Sequence, residues 1–391
     1  MRDDRRVKIL TRSTLLLALA ALALTGCVPE PATTPTPAVS ATPTPTPTPT
    51  STPDPLAGLS LEDRVGQMFM VGTSVDGADP ITLAAVRDDH VGGIFLHGRS
   101  DAGVQPTADL VSGFTSVVAP GGPELWVATD QEGGDVQVLS GPGVDGIPFA
   151  RDQGAWDDAT LRANAATWGR QLADAGVNMN LAPVADIVDS PEAAGDNPPI
   201  GQFNRQYGYD GPTVAAKAGA FAQGMRDGGI LPTFKHFPGL GRVTENTDTR
   251  SDVTDDVVSA DGPDVGVYSA VLPQGPAIVM LSTAIYARID PSAPAAFSPT
   301  VVEVLRDTVG FDGVVTVDDL SAARQVQPWS PADRAVLAVD AGIDLLLVSA
   351  DPSVYPEMRQ AVLARAQSDA AFAAKVDAAA TRILAAKAAM P

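Results

Sequence analysis

The sequence predicts an α/β chain folded as a single (β/α)8 barrel, on three observations. Eight short apolar runs recur along residues 56–391, and helical patterns lie between many of them. The polar clusters with chemical potential fall directly after the runs, where barrels and open α/β sheets bind their ligands. The runs are Gln67–Gly72, Val91–Leu96, Leu125–Thr129, Val177–Val184, Leu231–Phe234, Ala277–Ser282, Gly313–Val317 and Ile343–Val348. Strands that are apolar throughout are buried on both faces, as parallel strands are. The helical patterns include Leu161–Ala175 and Thr213–Arg226, and Ser-Pro starts announce helices over Ser298–Val309 and Pro331–Ala341. Strands alternating with helices imply right-handed parallel crossovers. A doubly wound open sheet is the competing arrangement, but it wants a Gly-rich phosphate turn after the first strand. Met70-Val71-Gly72-Thr73 offers a single glycine there.

Two segments precede the barrel. Residues 1–26 read as an export signal: Arg2, Arg5, Arg6, Lys8 and Arg12 make a basic start, and Leu15–Leu24 is an apolar run too short to span a bilayer. Leu24-Thr25-Gly26-Cys27 is similar to the lipobox of bacterial lipoproteins, which makes Cys27 the expected lipid acceptor. Cys27 is the one cysteine in the sequence, so neither an intramolecular disulfide nor a thiolate metal cluster can form. Residues 27–55 are dominated by Pro, Thr, Ser and Ala, a composition that favours an extended, solvated tether. The expected location is therefore the outer face of the cell membrane, held by lipid alone. The formal charge is −21, and loss of a signal with five basic and two acidic residues makes the chain more negative still. Nucleic acid and anionic lipid are poor partners for such a surface.

Three clusters and one arginine carry chemistry. Lys235-His236-Phe237-Pro238-Gly239 ends the fifth run, and Asp318-Asp319-Leu320-Ser321 ends the seventh. Asp130-Gln131-Glu132-Gly133-Gly134 follows the third, and Arg205 sits in the long connection after the fourth. An acid at the end of a buried strand is pushed towards its neutral form unless cations hold it, and Lys235 and Arg205 are the cations at hand. A carboxylate kept charged there suits a nucleophile. The other reading makes Asp318-Asp319 a capping pair, or divides the roles between them; Asp130 is open to the same capping role. The three histidines, His90, His97 and His236, lack zinc-hydrolase spacing, and no Gly-x-Ser-x-Gly elbow occurs. Neither metal nor cofactor is expected.

Taken in order, these segments resemble glycoside hydrolase family 3, in its compact single-domain bacterial β-N-acetylhexosaminidases. Leu61–Gln67, Val91-Gly92-Gly93-Ile94, Asn180–Asp186 and Gly310–Val315 add to the match. The resemblance implies a TIM barrel, a retaining mechanism and a glycan substrate ending in N-acetylglucosamine. It places the nucleophile on Asp318 and substrate contacts on Asp130, Arg205, Lys235 and His236. One departure matters. Where the family carries an Asp-Ser-His whose histidine is the acid/base, this chain reads Asp248-Thr249-Arg250. Arginine does not exchange a proton near neutral pH. Asp248, or Glu245 in the same loop, is then the candidate general acid. The alternative function is a sugar-binding lipoprotein of the same fold that has lost turnover, and a third is a phosphorylase using phosphate in place of water.

Overall fold

The structure, a computed structural model, describes residues 55–390. The export signal over 1–26, Cys27 and the tether before residue 55 lie outside the described residues. Eight parallel strands form one sheet: β1 (Phe69–Ser74), β2 (Gly93–His97), β3 (Trp126–Thr129), β4 (Met179–Asn180), β5 (Leu231–Phe237), β6 (Ile278–Leu281), β7 (Val315–Val317) and β8 (Leu346–Val348). Spatial order follows chain order from β1 to β7, and β8 pairs with β1. A bridge between Thr316 and Leu345 joins β7 to β8 and closes the ring. Closure excludes the doubly wound alternative.

Each of the eight apolar runs overlaps one of these strands, but the ends shift, and β5 runs on past Phe234 to Phe237, so that Lys235 and His236 lie within it. Gln67 closes the helix Leu61–Gln67, which a Ser60–Asp63 capping box starts, so β1 begins at Phe69. β4 is regular for only two residues because Pro183 brings no amide donor to the ladder. Pairing to β5 continues irregularly, with Thr233 N on Ala182 O at 3.0 Å and Ala185 N on Lys235 O at 2.6 Å. The expected helices are present as Asp158–Asp174, Gly211–Asp227 and Pro331–Ala341, capped by Asp157, Asp210 and Ser330. Ser298 caps the helix Pro299–Glu303, which loosens into a π-turn over Val304–Thr308.

Register decides which side chains face the barrel axis. Cα partners on adjacent strands point to the same side of a sheet, and side chains two apart share that side. Gly72, Phe95, Ala128, Met179 and Leu231 are partners across β1 to β5. Lys235, Met280, Thr316 and Leu345 continue the row round to β8. The axis-facing set therefore ends, at the C-terminal mouth, in Asp130, Lys235, Asp318 and Ser349. The opposite end is closed by the C-terminal helix Ala370–Ala388, whose buried Lys387 Nζ donates to Gln67 Oε1 and Gly92 O, both at 2.8 Å.

Candidate active site

The connections after β3, β4 and β5 build the walls above this mouth. A short hairpin, Gln131–Gly133 with Val136–Gln137, folds back over β3, and the Arg99 guanidinium holds it by donating to the carbonyls of Asp135 and Gln137. Gly133 and Gly134 both take positive φ in this turn, where a Cβ on Gly134 would come within 2.1 Å of the Phe149 ring. The loop after β5 is fastened at two places. Asn197 Nδ2 donates to Leu240 O (3.1 Å) and Val243 O (2.8 Å). Further along, Thr247 O and Asp248 O accept from Gln325 N (2.9 Å) and Arg324 N (3.2 Å) of the segment following β7.

These elements enclose a cavity of about 230 Å³, walled by Asp130, Arg205, Lys235, His236, Asp248 and Asp318 among others. Asp130, Lys235 and Asp318 arrive from three separate strands, and Asp248 closes the wall from the loop. A larger opening near Leu59, Val118 and Pro120 lies against the other end of the barrel and holds none of these groups.

Charge within the cavity is arranged around Glu132, a residue to which the sequence reading gave no role. Arg205 makes a bidentate pair with it, Nε to Oε2 at 2.8 Å and Nη2 to Oε1 at 2.7 Å, and Lys235 Nζ lies 2.6 Å from Oε1. Lys235 also donates to Asp130 Oδ1 at 2.6 Å. Burial alone would push the Glu132 carboxyl up, but Arg205 and Lys235 outweigh it and hold it down at about 2. The same contacts raise Arg205 and Lys235 against their own burial. Both cations are thus engaged by Glu132 and Asp130. No ion pair among the described residues joins either of them to Asp318, although all three wall the same cavity. Glu132→Gln should therefore strand two buried cations. We expect a loss of about 3–5 kcal/mol, read as a lower urea midpoint. An unchanged midpoint would show that Asp130 alone suffices to hold them.

Asp186 is the second residue without an assigned role. Fully buried, it accepts from the backbone of His236 (3.2 Å) and Leu240 (2.7 Å), and its Oδ2 lies 2.7 Å from His236 Nδ1. With Nδ1 donating to this carboxylate, Nε2 is the nitrogen left for the cavity, 3.5 Å from the Arg205 guanidinium.

Asp318 and Asp319 have different surroundings. Asp319 Oδ1 accepts from Ser321 N (3.1 Å), Ser321 Oγ (2.7 Å) and Ser349 N (2.8 Å), and its Oδ2 from Ala322 N (2.7 Å). It ties the turn after β7 to the end of β8, a capping role. Among the described residues, Asp318 Oδ1 accepts only from Asp319 N (2.9 Å), and the side chain otherwise faces the cavity.

Asp248 also walls the cavity, although the residue as a whole is solvent-exposed. Desolvation at the wall comes first, and the facing Asp318 second, in pushing its carboxyl up to about 6; Arg205 and His236 oppose the rise. The loop is turned there by Asn246, whose Oδ1 accepts from Asp248 N at 2.8 Å. Glu245 and Arg250 are exposed and do not reach the wall. Two carboxyls at one cavity, one of them with its proton affinity raised, suit acid-base chemistry at a glycosidic bond.

Comparison with known proteins agrees with this geometry. The sequence profile described as the glycosyl hydrolase family 3 N-terminal domain matches residues 60–386. The β-hexosaminidase LpqI of Mycobacterium tuberculosis is 34% identical over 320 residues, 78% of each chain. A β-hexosaminidase of Stenotrophomonas maltophilia is 33% identical over 298 residues, 73% of this chain and 84% of its own. Among solved structures, a β-N-acetylhexosaminidase from Beutenbergia cavernae superposes with a TM-score of 0.84 at 60% identity, covering 85% of this chain and 99% of that one.

Proposed function

We propose, from the premise that the chain belongs to glycoside hydrolase family 3 and is a glycoside hydrolase, that Asp318 and Asp248 carry its chemistry. The enzyme hydrolyses terminal β-linked N-acetylglucosamine from cell-wall or related glycans and retains configuration. The carrying observation is the division among the three acids at the cavity: Asp130 is paired with Lys235, whereas Asp318 and Asp248 face it with no ion pair to any of the described residues. Asp318 attacks the anomeric carbon, while the proton on Asp248 passes to the departing glycosidic oxygen. The aglycone leaves as an alcohol and the sugar remains on Asp318 as an ester. Asp248, now a carboxylate, takes a proton from water as that water displaces Asp318. Asp130, Lys235, Arg205 and His236 bracket the sugar hydroxyls with charge-assisted hydrogen bonds.

The test is an assay of the full-length protein in detergent on an aryl β-N-acetylglucosaminide and on an unactivated disaccharide, with and without phosphate. Cleavage with net retention supports the reading. Binding of N-acetylglucosamine with no cleavage of either substrate supports the sugar-binding alternative, which the arginine at position 250 favours. Sugar 1-phosphate as the product identifies a phosphorylase.

The site works at a membrane surface, held by lipid on Cys27 and carried on the tether that ends at residue 55. No helix among the described residues is long and apolar enough to cross a membrane. Replacing Cys27 with Ser should release the protein into the soluble fraction, because the hydroxyl cannot accept the thioether-linked lipid. A Cys27→Ser variant that stays wholly with the membranes overturns the anchor.

A further inference from the structure

The axis-facing row carries one more hydrogen-bonding side chain than the site described above uses, His97, which is not among the residues that wall the cavity but stands in the layer above them. On β2, Phe95 walls the cavity, and side chains two residues apart share a face, so His97 at the strand end faces the same way one layer higher. Its Cα partner on β1 is Ser74. On β3, Thr129 is the partner of Leu96, which makes Asp130 the neighbour of His97 in the next layer. The other two histidines are occupied, His90 by Asp63 and His236 by Asp186, each at 2.7 Å. His97 is half-buried, and no group among the described residues hydrogen-bonds to its ring.

Position round the ring says what such a side chain meets. β3 and β7 stand four strands apart in a ring of eight, on opposite sides of the mouth. In a pyranose, C4 lies across the ring from C1. With Asp318 of the β7 end at the anomeric carbon, as the function proposed above has it, C4 lies over the β3 end, beside Asp130 and His97. We propose that His97 hydrogen-bonds the hydroxyl at C4 of the terminal sugar and, with Asp130, selects the gluco over the galacto configuration there. The imidazole supplies a donor and an acceptor in one ring, and inverting C4 moves the hydroxyl out of line with both.

The test uses the full-length protein in detergent with the aryl β-glycosides of N-acetylglucosamine and N-acetylgalactosamine, and calorimetry with the two free sugars. His97→Phe keeps an aromatic ring but removes the hydrogen bond. It should lower kcat/KM for the gluco substrate about tenfold, the worth of one hydrogen bond, and leave the galacto substrate within about twofold, so the preference collapses by about the same factor. His97→Gln, which keeps a donor and an acceptor, should recover part of the preference. An unchanged gluco-to-galacto ratio overturns the inference, whether both rates stay at wild-type values or fall together with the urea midpoint. Should the wild type cleave neither substrate, the functional reading fails first. The ratio of calorimetric affinities then decides the inference: a preference for N-acetylglucosamine lost in His97→Phe upholds it, and an equal ratio in both proteins overturns it.

Discussion

Asp318→Asn lowers kcat on every β-glycoside by several orders of magnitude, and circular dichroism and the urea midpoint stay at wild-type values. A carboxamide cannot form the glycosyl ester through which a retaining enzyme works, so the loss lies far beyond the factor of about ten that one hydrogen bond commands. The fold survives because this side chain holds nothing together: its Oδ1 accepts from Asp319 N at 2.9 Å, which the asparagine oxygen also does. Asp319→Asn gives the opposite signature. One of its oxygens becomes an NH2 group facing backbone donors at Ala322 or at Ser321 and Ser349. That variant loses stability, by about 1–3 kcal/mol, and keeps more of its turnover. Equal kcat in the wild type and Asp318→Asn would remove Asp318 from the mechanism.

The contrast between these adjacent aspartates shows where sequence reading stops. Asp318-Asp319 after Val314–Val317 announces an acid pair at the end of a buried strand, but not which member caps. That depends on Ser349 N, 30 residues further on at the end of β8. The eight strands were legible because a parallel strand buried on both faces must be an unbroken apolar run. Their ends were not. Gln67 belongs to the preceding helix and reaches Lys387 at the other end of the chain, and Pro183 cuts β4 short. The clusters after β3 and β7 and within the end of β5 were visible as polar breaks following apolar runs, and ring closure brings them to one mouth. Their pairing was invisible, since Arg205 meets Glu132 across 73 residues and His236 meets Asp186 across 50. The alternation in Asp130-Gln131-Glu132 was the available signal that a second acid accompanies Asp130, and only spatial contact shows that it takes both cations.

Asp248→Asn should slow an unactivated disaccharide by about 10²–10⁴-fold, the usual worth of a general acid, and slow release of a good aryl leaving group much less. The difference arises because protonation matters in proportion to the basicity of the departing oxygen. Water attack on the glycosyl-enzyme still lacks its base in this variant, so the aryl substrate should give a burst followed by a slow steady state. The pH profile carries the same assignment with a definite sign. An acid must hold its proton to donate it, and desolvation at the cavity wall together with Asp318 pushes Asp248 up to about 6. Wild-type kcat on the disaccharide should therefore fall as pH rises through about 6, and Asp248→Asn should lose that limb. Glu245→Gln is the control from the same loop; exposed and away from the wall, it should leave both substrates unchanged. Arg250→His restores an Asp-x-His pair and should raise disaccharide turnover if the loop brings position 250 to the sugar. Indifference of both substrates to Asp248→Asn, with the limb near pH 6 intact, would take the acid away from this loop altogether. The enzyme would then depend on leaving groups that depart without help, a requirement that an aryl glycoside meets and a cell-wall disaccharide does not.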